Sequence, residues 1–147
     1  MKKQDGFTLI ELMLVVIILG ILVAAVVPRL VGRSEQARRE TAKADIKGSL
    51  ALALDMYELD NGNYPTTAQG LESLAGKPST PPAPTNWKGP YLKKKLPIDP
   101  WGHPYVYTSP GTHNDDYDLY SYGPDGSDGG DDNIVNWEKD AGRQTGS

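Results

Sequence analysis

Apolar and polar positions divide the 147-residue chain into two regimes. Across residues 7–27 only Thr8 and Glu11 are polar, and the sixteen residues 12–27 carry neither charge nor polar side chain. A helix of that length spans roughly 32 Å at ~1.5 Å per residue, close to the ~30 Å hydrocarbon core of a bilayer. Pro28 follows, and its missing N–H is expected to kink the helix. The pattern then turns amphipathic over residues 31–59. Ile46, Leu50, Ala53, Leu54 and Tyr57 recur at three- and four-residue spacing, a stripe suited to packing on a domain. Arg33, Arg38, Arg39, Lys43 and Lys47 lie mostly off that stripe. Asp60-Asn61-Gly62-Asn63 stops the helix. Further on, Thr67 is expected to cap a short helix over 68–75, and proline-rich 77–100 reads as an irregular loop. Aromatic-rich alternation predicts strands at 105–108 and 117–122, with a third near 134–137. No internal repeat is visible.

Within the apolar stretch Glu11 is the exception. A charge in a bilayer core costs on the order of 2.5–3.5 kcal/mol even on lenient scales, and nothing else in the stretch can pair with it. Three readings of this N-terminus compete. In the first, Lys2 and Lys3 open a secretory signal peptide, removed at the small residues Val23-Ala24-Ala25. In the second, the segment is an uncleaved anchor with its lysines in the cytoplasm. In the third, the chain is cut between Gly6 and Phe7. That cut leaves the apolar helix in place and creates an amine on Phe7, one turn before Glu11. A neighbouring copy's amine then supplies the countercharge. Glu11 counts against the first reading and is unexplained by the second.

Composition changes the picture in two places. There is no cysteine, so neither a disulfide nor thiol chemistry is available. The formal charge of −4 is unevenly placed: beyond residue 110 nine acids face only Lys139 and Arg143, a local −7. An acidic, glycine-rich tail points to a cation rather than to nucleic acid. Its densest part, Asp125-Gly126-Ser127-Asp128-Gly129-Gly130-Asp131-Asp132-Asn133, packs oxygen donors of the kind calcium selects. It is not an EF-hand, because Asn136 stands where that motif needs a bidentate Glu. The plain alternative is a solvated acidic turn. Elsewhere His103 and His113 are isolated and read as surface or turn residues. No nucleophile elbow accompanies the serines, Lys93-Lys94-Lys95 reads as a solvated basic run, and Trp101 and Trp137 read as core plugs. An enzyme is the least favoured class.

Gly6-Phe7-Thr8-Leu9-Ile10-Glu11-Leu12 resembles the leader signal of type IV pilins and pseudopilins. Leu54-Asp55-Met56-Tyr57, Tyr64-Pro65-Thr66-Thr67, Asp99-Pro100-Trp101-Gly102, Gly123-Pro124-Asp125-Gly126 and Asn136-Trp137 extend a resemblance to the major pseudopilins of type II secretion over nearly the whole chain. The resemblance implies an α+β, pilin-like fold. A long N-terminal helix, half membrane segment and half scaffold, packs on a small antiparallel sheet with a calcium-binding C-terminal loop. It implies a leader at 1–6, a transmembrane and filament-core helix at 7–30 and a periplasmic domain at 31–147. It further implies cleavage after Gly6 by a prepilin peptidase, N-methylation of Phe7, and single-pass residence in the inner membrane. The subunit then polymerises with Glu11 drawn to the Phe7 amine of its neighbour.

Implied partners are further copies, minor pseudopilins, the prepilin peptidase, an inner-membrane assembly platform, an outer-membrane secretin and the exported proteins, with no nucleic acid. Calcium ligands are implied at the side chains of Asp125, Asp132 and Asn133 and the main-chain carbonyls of Tyr122 and Ser127, with Asp128 or Asp131 compensating where relatives often carry Asp at 133. Two alternatives stand beside this: the major pilin of a type IV pilus, disfavoured by the missing cysteines and the 125–133 loop, and a membrane-tethered periplasmic calcium module that does not polymerise.

Overall fold

The computed structural model describes residues 6–138; the expectations placed on Lys2, Lys3, Lys139 and Arg143 lie outside that range. Helix α1 runs over Leu9–Ala44, a π turn over Asp45–Ser49 and helix α2 over Leu50–Asn61. Helix α1 continues through Pro28. Contacts divide the chain into two compact units at Ala37/Arg38.

In the first unit, Thr8 begins the helix. Its carbonyl accepts the N–H groups of Glu11 and Leu12 at 3.1 and 3.3 Å, and its hydroxyl accepts the Glu11 N–H at 3.3 Å. An N-cap threonine followed three residues later by an acid is half of a capping box, with the acid also favoured by the helix dipole. Leu9–Val26 is long and apolar enough to cross a membrane, and none of it is buried within the protein.

The second unit is built around the stripe read from the sequence. Ile46, Leu50, Ala53, Leu54 and Tyr57 are buried, joined by Ala42, Leu71, Leu74, Tyr105, Tyr107, Tyr117, Leu119 and Ile134. Gly62 ends α2 in the left-handed region at φ 79°, its N–H returning to the Glu58 carbonyl at 2.7 Å. That conformation is cheap only without a Cβ. Three short strands form an antiparallel sheet in the order β1-β2-β3: β1 at Val106–Thr108, β2 at Asp118–Ser121 and β3 at Ile134–Val135. Tyr120 pairs with both Val106 and Val135, which makes β2 the central strand. Each strand falls within its expected range and is shorter at one or both ends.

Two local expectations are corrected. The segment after Tyr64 is a turn followed by a 3-10 helix over Leu71–Leu74 rather than a helix over 68–75. The 3-10 helix follows Gly70 and has no side-chain cap. The turn before it is closed by Thr66, not Thr67: the Thr66 hydroxyl accepts the Gln69 N–H at 3.2 Å and the Gln69 Oε1 accepts the Thr66 N–H at 2.9 Å. Thr67 instead exchanges hydrogen bonds with Ser109, 42 residues away.

His113 lies exposed in the turn before β2, as expected, and partners distant in sequence hold it there. Its ring nitrogen Nδ1 lies 2.9 Å from the buried Asp118 carboxylate, and its ring is stacked on Trp137. Asp118 also receives the N–H groups of Thr112, His113 and Asn114. Burial alone raises the Asp118 pKa; hydrogen bonds from His113, Asn114 and Thr112 outweigh it and hold the carboxyl well below its ordinary value. Trp101 packs partly buried against the core, as a plug should.

Candidate functional site

The two places singled out by the sequence lie in different units. At the first, Gly6 has open space around it and Phe7 is 78 % exposed. The Gly6–Phe7 bond directly precedes the Thr8 cap, so a chain cut there would begin at the helix start. Glu11 sits in the first turn of α1, exposed, within a wholly apolar surface. The Thr8 cap occupies its N–H, and Glu11 is the one charged residue between Leu9 and Val27.

The second place is the loop between β2 and β3. Gly123, Gly126 and Gly129 all take positive φ, at 77°, 66° and 100°, which lets the chain fold back on itself. Two of the acids named from sequence meet over Gly130: a Cβ built there would strike Asp132 Oδ1 and stand 3.3 Å from Asp125 Oδ2. At Gly123 a Cβ would stand 2.7 Å from the Asp132 carbonyl and 3.2 Å from Asp132 Oδ2. The backbone glycines thus make room for converging carboxylates. Asn133 contributes a buried Oδ1 with no hydrogen-bond partner, an arrangement that costs roughly 1–3 kcal/mol unless something satisfies it.

Ser127 donates both its N–H and its hydroxyl to Asp125, each at 3.0 Å. These bonds from Ser127 set the Asp125 pKa below its ordinary value. Asp128 and Asp131 are exposed. Among the described residues no group of three or more His, Asp or Glu is arranged to hold a metal. The carboxylates of Asp125 and Asp132 and the buried Asn133 Oδ1 are oxygen donors of the kind a hard cation takes.

Residues absent from the sequence-based site hold this loop. Asp99 is buried, and its Oδ1 accepts the N–H groups of Trp101 and His103 at 3.1 and 2.8 Å. The Ser121 hydroxyl donates to Asp99 Oδ2 at 2.5 Å and accepts the Gly123 N–H at 3.0 Å. The His103 ring lies against Gly126, and Arg39 on α1 reaches the Asp132 carbonyl at 3.5 Å. Asp99 and Gly123 stood inside quoted motifs; nothing local marked Ser121 or Arg39.

An apolar helix long enough to cross a membrane, opened by this cap and followed by a small α+β unit, defines a class. Residues 1–27 match the model of the prokaryotic N-terminal methylation motif. Residues 29–137 match the model of type II secretion system protein G, and the chain belongs to that family, the membrane-anchored major pseudopilins of type II secretion. A type II secretion system core protein G from Pseudomonas aeruginosa is 56 % identical over 140 residues, covering 93 % of this chain and 97 % of that protein. The corresponding protein of Escherichia coli K12 is 52 % identical over 135 residues, with 92 % of each chain covered. The crystal structure of the major pseudopilin from the type 2 secretion system of enterohaemorrhagic Escherichia coli superposes with a TM-score of 0.66. It is 43 % identical, covering 74 % of this chain and 89 % of that one. The chain is a structural subunit and not an enzyme.

Proposed function

We propose that this subunit is trimmed after Gly6 by a prepilin peptidase, methylated on Phe7, and polymerised through α1 into the pseudopilus. The observation that carries the reading is the exposed apolar helix Leu9–Val26 with one acid, Glu11, in its first turn. An isolated carboxylate on such a surface is costly in lipid or in a helix bundle. An ammonium on Phe7 of the adjacent copy offsets that cost and fixes the axial register between copies. Before assembly the helix spans the inner membrane with the second unit in the periplasm. During assembly the subunits engage minor pseudopilins and the inner-membrane platform, and the growing filament helps move exported proteins through the secretin.

In the same proposal the 125–133 loop holds a calcium ion. Side chains of Asp125, Asp132 and Asn133 and the carbonyls of Tyr122 and Ser127 supply the ligands, and the unpartnered Asn133 Oδ1 supports the assignment. The ion ties the loop to the sheet in a chain without disulfides, as metal binding coupled to folding does elsewhere.

The assembly reading is tested by replacing Glu11 with Leu in a chain carrying engineered cysteines at Val16 and Ile21. Membrane insertion and leader removal persist, while the ladder of cross-linked copies disappears. A wild-type ladder from the Glu11→Leu chain contradicts the pairing.

A further inference from the structure

A carbonyl can serve as a metal ligand only if its peptide plane is held, and the fold supplies a device for one such plane at the loop entrance. The peptide joining Tyr122 to Gly123 is not among the cis bonds of the chain. In a planar trans peptide the C=O and N–H point to opposite edges. The Gly123 N–H is fixed toward the Ser121 hydroxyl at 3.0 Å. The Tyr122 carbonyl is therefore turned away from Ser121, out of the buried network.

That hydroxyl is itself locked. Ser121 is fully buried, and its proton goes to Asp99 Oδ2 at 2.5 Å. A short bond to a carboxylate acceptor belongs to the charge-assisted class, roughly twice as strong as a neutral one. Asp99 is 2 % exposed, and its other oxygen is held by two backbone N–H groups of the 101–103 turn. Asp132, carbonyl and carboxylate alike, closes over Gly123 on the side where a Cβ would stand. The chain Asp99–Ser121–Gly123 thus runs from a rigid buried carboxylate to the peptide whose other edge carries the Tyr122 carbonyl.

We infer that Asp99 and Ser121 are positioning residues for the cation loop, acting through the Tyr122–Gly123 peptide to preset the Tyr122 carbonyl as a ligand. The inference rests on the calcium reading above and adds to it the two residues that tune affinity without touching the ion. Outer partners that orient ligands elsewhere change metal affinity by about 10–100-fold when removed.

The test uses the full chain in detergent micelles, titrated with calcium by calorimetry. Wild type, Ser121→Ala, Ser121→Thr and Asp99→Asn are compared, with carbonyl carbon-13 shifts recorded for labelled Tyr122. Ser121→Ala is expected to weaken calcium binding about tenfold or more and to reduce the calcium-induced shift of the Tyr122 carbonyl. Ser121→Thr keeps the hydroxyl, so it should melt earlier from crowding while retaining near wild-type affinity. Asp99→Asn should weaken binding in the same direction, and it carries the test if Ser121→Ala does not fold. Lower melting in Ser121→Ala or Asp99→Asn with unchanged affinity and an unchanged carbonyl shift overturns the inference, leaving a purely structural pair. No calcium response in the wild-type chain overturns the cation reading instead, and this inference with it.

Discussion

The indole of Trp137 lies face to face on the imidazole of His113, with centroids 3.9 Å apart and planes 2° from parallel. Tyr120 meets the same indole edge-on at 5.5 Å. Residue 137 is thereby attached to the turn before β2, a contact that completes the work of the short β3. His113→Ala should destabilise the domain by about 1–2 kcal/mol, combining the lost stack with the lost bond to Asp118. Denaturant melts followed by tryptophan fluorescence measure it, and a loss under 0.3 kcal/mol would assign the stack no weight.

Asp118 makes a prediction about acid. Its folded carboxyl is held below the ordinary value, so its contribution is complete above the unfolded pKa of about 4 and disappears as pH falls toward the folded one. Asp118→Asn should lower stability by ~2 kcal/mol at neutral pH and flatten the stability profile below pH 4. A mutant profile parallel to wild type in that range would rule out the linkage.

Thr66 and Thr67 separate local from distant roles. Thr66→Ala removes the Thr66 half of the reciprocal bonds that close the 66–70 turn and should cost about 1 kcal/mol, with Gln69 contributing through the same pair. Gln69→Ala measured alone and with Thr66→Ala should be clearly less than additive in thermal melts. Additive losses would argue against a reciprocal pair.

Much of the fold was legible because its signals are local. The buried stripe from Ile46 to Tyr57 follows helical spacing, Gly62 sits where a left-handed terminus needs it, and β1 and β2 lie in aromatic-rich alternating segments. The misses have physical causes too. Thr67 looks like a helix cap in sequence, yet its hydroxyl serves Ser109, a contact no window around residue 67 contains. The π turn at Asp45–Ser49 lies inside a continuous helical pattern with nothing in composition to mark it. His113 looked solitary because Asp118 and Trp137 reach it only after the sheet forms. At the loop, the acids and glycines were visible by density, whereas the Asp99–Ser121 support depends on two side chains 22 residues apart.

Calcium should raise the stability of the second unit. At a hundredfold excess over its dissociation constant a ligand adds about 2.7 kcal/mol, which for a domain of this size shifts the melting midpoint by on the order of 10 °C. Scanning calorimetry of the full chain with calcium and with chelator reads this directly. Asp132→Ala should abolish the difference, and an identical midpoint under both conditions in wild type would remove the ion from the account.

The central claim concerns the first bond before the helix, and intact mass spectrometry of protein from its native membrane tests it most directly. The account predicts a chain beginning at Phe7, lighter by the six leader residues and heavier by one methyl group. A chain still starting at Met1 would contradict it by leaving Glu11 without the proposed Phe7 amine, and one starting beyond Ala25 would contradict it by removing Glu11 altogether.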